Sequence, residues 1–246
     1  PVGGGMLGVA IPDFRLPKEI LQKEIDYIRH RGVEIKYNTP LNINYTLEDL
    51  RKEGYKAIFI AAGAQRSQMI GIPGEIEGLD GLFYGLRFLN DVKRGKDVKI
   101  GKKVAVIGGG NTAIDAARTA LRLGAEEVSV YYRRSRDEMP VTELEYEEAL
   151  EEEVKFHFLV SPTRIVNRDW KVKGLECVRM SLGEADESGR RRPIPIEGSE
   201  ISVEADMVIP AVGQAPDLSF LPADSELERA RWGALEVDRN TLATNI

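Results

Sequence analysis

The clearest change of hydrophobic period along the chain falls between Lys102 and Tyr132. KKVAVIG, residues 102–108, is a short, nearly all-apolar run of the kind that a central parallel sheet buries on both faces. From Asn111 to Leu123 the apolar positions Ala113, Ala117, Ala120 and Leu121 recur at helical spacing, and Gly124 ends the run. EEVSVYYRR then predicts a second strand. Strand, glycine turn, helix and strand within about 30 residues make a βαβ unit, right-handed by the general rule for such crossovers.

Elsewhere the pattern is plainer. Ile20, Leu21, Ile25 and Ile28 mark one side of a helix in KEILQKEIDYIRHRG, stopped by Gly32. VEIKYN predicts a short strand, and TLEDLRKEG a short helix with Thr46 as N-cap and Asp49 three residues on. Tyr55 to Ala61 is a candidate buried strand ending in the turn Ala62-Gly63-Ala64. A turn-rich stretch, 65–81, leads to a helix in FYGLRFLNDVKRG. Beyond Pro140 an acidic helix is followed by the strand VKFHFLV. The pieces from Trp170 to Leu182, Arg192 to Ile196 and Ile201 to Val208 then predict a small antiparallel β ribbon, broken by the charged hinge GEADESGRRR. GALEVD near the end predicts a strand and TLATNI a loop.

The glycine turn carries the chemistry. Gly108 permits the abrupt bend after the strand, and Gly110 lets backbone approach a pyrophosphate with no Cβ in the way. Ala113 holds the third position, where a small side chain allows close helix–sheet packing. Amides at the helix start, around Asn111 and Thr112, supply donors and positive dipole character. Asp or Glu about 20 residues on would select NADH, whereas this region offers Arg133, Arg134 and Arg136. Guanidinium groups pair with a 2'-phosphate through directed, charge-assisted bonds, so NADPH is favoured. The bland alternative is an exposed basic turn balancing the acidic helix after it. Asp115 supports the helix start by its charge, or orients the turn or a neighbouring domain.

Charge and composition narrow the remaining choices. Formal charge is −6, which disfavours a nucleic-acid face. No apolar run approaches the roughly 20 residues needed to cross a bilayer, and nothing resembles a secretory leader. A soluble, cytoplasmic protein is expected. One cysteine, Cys177, excludes an intrachain disulfide or a four-cysteine metal or iron–sulfur site within this chain; its alternating setting predicts a buried thiol. His30 and His157 stand alone, and the carboxylates of ELEYEEALEEE predict a solvated face. No catalytic constellation and no metal site is legible, so redox chemistry would run through organic cofactors.

Together, GGMLGVAIPDFRLPKE, IAAGA, IGIPGE, VAVIGGGNTAIDAARTALRLGA, YYRRSRDEMP, IPAVGQAPD and TLATNI resemble the small (beta) subunit of NADPH-dependent glutamate synthase and related flavoproteins with two dinucleotide domains. The resemblance implies an α/β fold in which a Rossmann-like NAD(P)-binding domain, residues 98–211, is inserted in an incomplete FAD-binding domain, residues 1–97 and 212–246. It implies hydride transfer from NADPH to FAD, then electron delivery through iron–sulfur clusters to a partner such as the glutamate synthase large subunit. Gly4, Gly5, Met6 and Leu7 match the stretch near the flavin, Ala62, Gly63 and Ala64 the turn beside FAD, and Gly213 and Gln214 a loop near the nicotinamide–flavin junction. Val9 and Ala10 replace the family's usual tyrosine and glycine.

Three parts of the family pattern are expected outside these residues. They are the first FAD fingerprint before Pro1, a glycine-aspartate segment after Ile246, and an amino-terminal iron–sulfur domain. Weak or absent FAD binding by this segment alone is therefore expected, as is self-association through exposed apolar faces. A ferredoxin:NADP oxidoreductase, the electron-input part of a pyrimidine dehydrogenase, and a non-catalytic nucleotide-binding or assembly module are the alternatives.

Overall fold

A computed structural model describes residues 2–186, 189–230 and 233–246. Two hinge residues, 187 and 188, thus lie outside the described residues. In chain order the elements are α1 (Met6–Val9), α2 (Lys18–His30), α3 (Leu47–Lys52), β1 (Arg66–Ser67), α4 (Gly85–Lys93), β2 (Lys103–Ile107), α5 (Asn111–Arg122) and β3 (Glu127–Tyr132). A 3-10 turn at Arg136–Glu138 precedes α6 (Glu143–Glu151), β4 (Lys155–Phe158), β5 (Val160–Arg168), β6 (Lys171–Ala185), β7 (Arg191–Glu204), β8 (Met207–Pro210) and β9 (Gln214–Ala215). The chain divides into two compact units, one of residues 1–8, 19–66 and 213–246, the other of residues 9–18 and 67–212.

The second unit is built on a four-stranded parallel sheet in the order β4-β3-β2-β8. β2, β3 and β8 are buried on both faces because both faces are covered, whereas β4 at the edge alternates exposed Lys155 and His157 with half-buried Phe156 and Phe158. Val104, Val106, Val128, Val130, Met207 and Ile209 pack against α4, α5 and α6 through Phe88, Ile114, Ala117 and Ala149. The alternate positions Ala105, Ile107, Tyr131 and Val208 face a second core with Ile165, Leu175 and Cys177 from the antiparallel sheet β5-β6-β7. Alanines 113, 116, 117 and 120 are fully buried, so α5 lies close on the strands. Residues 67–97 belong to this body: Leu79 and Leu82 enter the second core, and Phe88 and Leu89 the first.

Val208 corrects the ribbon assignment. The antiparallel strand ends at Glu204, and Val208 pairs in parallel with Ala105 of β2, because its run MVIP is buried on both sides. Cys177 is buried as expected, and burial pushes its thiol up to about 12. Iodoacetamide at about pH 8 should therefore leave the native thiol unmodified while alkylating it fully in urea; rapid native labelling would contradict this core.

In the first unit α2 buries Leu21 and Ile25, and α3 opens on the expected capping box, with Thr46 accepting from the Asp49 amide and Asp49 accepting from the Thr46 amide. Three strands expected in this unit are absent. VEIKYN, Tyr55–Ala61 and GALEVD are extended or irregular, with only an isolated bridge from Arg229 to Leu235 at the last. Apolar alternation is not enough for a strand, which needs a neighbouring backbone to bond. Among the described residues none is hydrogen-bonded in a ladder to 33–38 or 55–61, and Phe59 is left 82% exposed. No described helix is long and apolar enough to cross a membrane.

Candidate nucleotide site

The turn between β2 and α5 is defined by three glycines with three different environments. Gly108 has φ +144, and a Cβ there would lie 2.4 Å from the Ala211 carbonyl oxygen. Its amide donates to the Tyr131 carbonyl at 3.1 Å, tying the turn to β3. A Cβ on Gly109 would strike the Tyr132 ring at 2.5 Å, and that ring is held by its hydroxyl donating to the Glu138 carbonyl at 2.8 Å. Gly109 was not singled out by the spacing argument; its need is tertiary. Gly110 differs from both: a Cβ would meet nothing within 4 Å, and its φ is −98.

Gly110 is also the N-cap of α5, and no side chain caps that helix. Its carbonyl accepts from Ala113 and Ile114, so the helix is regular from its first turn. Among the described residues the amides of Gly109, Gly110 and Asn111 have no partner. Uncapped donors beside open space at a helix N-terminus suit an anion. Asn111 is exposed, Thr112 half-buried and Ala113 fully buried against the sheet. These residues fit the pyrophosphate of a dinucleotide.

The basic end of β3 lies next to this turn, since Ile107 is in register with Tyr131 and the Gly108 amide bonds to it. The three arginines there have different fates. Arg133 is exposed and has no partner among the described residues. Arg134 is only 5% exposed; its guanidinium donates to the Arg191 carbonyl at 2.8 Å and pairs with Asp186 at 2.7 Å. Arg136 stacks 4.3 Å over the Tyr146 ring and pairs with Glu143 at 2.6 Å, while its Nε is buried without a partner. Between them Ser135 and Glu138 form a capping box, and bonds from Ser135 and Arg191 hold the Glu138 carboxyl below its usual range.

A segment far away in sequence braces the same helix. Asp115, one turn into α5, is 4% exposed and accepts twice from Arg15, at 2.9 and 3.0 Å; Arg15 also pairs with Glu145 of α6. Burial pushes the Asp115 carboxyl up, and Arg15 pulls it back only in part. Phe14 lies against the guanidinium groups of Arg118 and Arg122, 4.7 and 4.3 Å from its ring centre. Asp115 thus holds the segment that carries Phe14 and Arg15, within the same unit, a role distinct from orienting the turn or a neighbouring domain.

The remaining candidates lie in the first unit. Gly4 and Gly5 have φ of +92 and +54, Gly63 +70 and Gly213 +144, all backbone that favours glycine. Met6 opens a single helical turn, Leu7 is exposed, Ala62 and Ala64 flank an unpaired segment, and Gln214 is half-buried. Gly4, Gly5, Ala62, Gly63, Ala64 and Gly213 are turn or loop positions, whereas Met6 and Leu7 lie in α1 and Gln214 opens β9.

The family model for pyridine nucleotide-disulphide oxidoreductase matches residues 16–246. The chain belongs to that family. Among curated members it is similar to the NADP(+)-dependent formate dehydrogenase subunit beta of Moorella thermoacetica, 49% identical over the whole chain and 34% of the relative. The NADPH-Fe(3+) oxidoreductase subunit beta of Geobacter sulfurreducens is 50% identical over 95% of the chain and 35% of the relative. The glutamate synthase [NADPH] small chain of Azospirillum brasilense is 38% identical over 99% of the chain and 52% of the relative, in line with the resemblance seen in the motifs. The chain thus spans about a third to a half of the length of these relatives. Mycobacterium tuberculosis FprA in complex with NADPH matches in structure with a TM-score of 0.70 at 20% identity, over 92% of this chain and 64% of that one. That likeness bears on the fold, which is the α/β architecture of pyridine nucleotide oxidoreductases.

Proposed function

We propose that this chain is the NADPH-accepting part of a flavoprotein oxidoreductase that feeds electrons to a partner subunit. The observation that carries the reading is the open Gly110 corner with its unpartnered amides, set beside the free guanidinium of Arg133. Gly108 and Gly109 make the turn, and the amides at Gly110 and Asn111, with Thr112 and Ala113 behind them, hold the pyrophosphate. Arg133 takes the 2'-phosphate. Arg136 stands near in sequence, and its buried Nε and its exchangeable pairing with Glu143 suit it as a second contact. Arg134 is committed to Asp186 and supports the strand end that presents Arg133.

The chemistry supplied there when both cofactors are bound is hydride donation from the reduced nicotinamide and its acceptance by the flavin. What the chain contributes is orientation and charge. Gly4, Gly5, Met6, Leu7, Ala62, Gly63, Ala64, Gly213 and Gln214 are the positions proposed to border FAD, with further parts of the protein completing that site. Iron–sulfur clusters belong to another domain or to the partner, because one buried cysteine cannot hold one. The relatives named as beta subunits and small chains support an electron-accepting partner subunit, of which the glutamate synthase large subunit is one model.

The test is cofactor selectivity in the full-length protein. Arg133→Ala should lower the NADPH/NADH preference by about tenfold or more, the loss of one charge-assisted phosphate contact. Arg134→Ala should chiefly lower stability, by removing a buried ion pair. An Arg133→Ala enzyme with undiminished preference for NADPH would overturn the assignment.

A further inference from the structure

The basic turn after β3 holds a carboxylate at the place where an anion is to be received. Glu138 closes the 3-10 turn, and its side chain folds back to Ser135, accepting from the Ser135 amide at 3.2 Å and from its hydroxyl. Its carbonyl accepts from Tyr132, whose ring lies against Gly109 of the phosphate turn. Glu138 is thus fixed between that turn and the end of β3, with its side chain 7% exposed. It shapes the loop, but its charge has the wrong sign for a phosphate.

The charges around it come close to cancelling. Arg134 is paired with Asp186 and Arg136 with Glu143, which leaves Arg133 as the cation of this turn with no partner among the described residues. Asp137 is 86% exposed and well screened, whereas a buried carboxylate is screened much less. Uncompensated, Glu138 would offset Arg133. The compensation comes from the antiparallel sheet. Arg191, the first residue of β7 and 53 positions beyond Glu138, donates from Nε to the Glu138 carboxylate, and its Nη2 lies 3.5 Å from the Ser135 hydroxyl. The Arg191 carbonyl accepts from Arg134 at 2.8 Å, so backbone and side chain together tie β7 to the turn.

We propose that Arg191 is a positioning residue that sets specificity for the 2'-phosphate: by pairing with Glu138 it cancels the carboxylate that would repel that phosphate and leaves the charge of Arg133 in force. The inference rests on the nucleotide reading above and deepens it. Arg191 acts through Glu138, and no contact of its own with the nucleotide is required.

Equilibrium titrations of NADPH and NADH into the full-length protein test it. Arg191→Met should weaken NADPH about tenfold and NADH by less than about twofold, because NADH has no 2'-phosphate to repel. The NADPH loss should shrink in about 0.5 M salt. Arg191→Lys keeps the charge and should stay within about threefold of the parent. Arg191→Met/Glu138→Gln removes both charges, retains an acceptor for Ser135, and should recover NADPH binding to within about threefold. Should Arg191→Met fold poorly, Glu138→Gln alone should still tighten NADPH severalfold relative to NADH. Equal weakening of both nucleotides, or a double variant no better than Arg191→Met, would show that Arg191 serves only the shape of the turn and would overturn the proposal. Selectivity lost in Arg133→Ala but kept in Arg191→Met overturns this inference alone, whereas a parent with no preference for NADPH overturns the nucleotide reading with it.

Discussion

Replacing Gly110 with alanine is expected to cost NADPH affinity roughly ten- to a hundredfold while leaving the thermal midpoint within a few degrees. The affinity loss follows from the open corner: a methyl group placed there meets no protein atom within 4 Å, so it occupies space that only a ligand would use. Hydrogen bonds to charged groups contribute about 1.5 to 3 kcal/mol, and displacing the pyrophosphate from the amides forfeits one or two of them. Stability changes little because two small effects oppose each other. Alanine is a poorer N-cap than glycine, but it reduces the freedom of the unfolded chain by about 0.4 to 1 kcal/mol, and a φ of −98 suits it.

Gly108→Ala provides the contrast. Its Cβ would lie 2.4 Å from the Ala211 carbonyl oxygen at a φ of +144, combining a backbone clash with a conformation that costs about 1 to 3 kcal/mol by itself. That variant should unfold several degrees earlier, with any NADPH loss secondary. Fluorescence titration with NADPH and a thermal scan of both variants separate the two cases. A Gly110→Ala protein that binds NADPH like the parent would show that these amides do not face a phosphate.

The same contrast explains what the sequence could reveal. β2, the glycine turn, α5 and β3 were legible because their signals are local: apolar runs, a helical period and glycines at fixed spacing. Gly109 was not, since its need for a bare α-carbon comes from Tyr132, held in place by Glu138. The arginine cluster was legible as charge, but its division of labour depended on Asp186, 52 positions beyond Arg134, and on the Tyr146 ring under Arg136. Tyr55–Ala61 shows the opposite failure. Its apolar run has strand character, but strand formation is a property of pairs, and no described segment pairs with it.

Arg15→Met is expected to destabilise the second unit by about 2 to 3 kcal/mol at neutral pH, less than the roughly 3 to 5 kcal/mol for breaking a fully buried ion pair because Arg15 itself is a quarter exposed. Asp115 and Arg15 are 100 residues apart, so nothing local announces the pair. The loss should shrink in acid. Burial already raises the folded-state pKa of Asp115, and without Arg15 it rises further. A folded state that holds its proton more tightly than the unfolded chain loses stability as pH rises from the ordinary aspartate range through the raised folded value. Glu145 acts in the same direction: burial pushes it up, but bonds from Thr142 and the charge of Arg15 keep it below its usual range, a stabilisation present only above the unfolded pKa. Urea melts at about pH 7.5 and about pH 4.5 should therefore give a smaller difference between variant and parent at the lower value. The double variant Arg15→Met/Asp115→Leu, which buries no unpaired charge, should recover to within about 1 kcal/mol of the parent. A pH-independent loss would mean that Arg15 acts through packing of its stem, and the ionic brace on α5 would have to be abandoned.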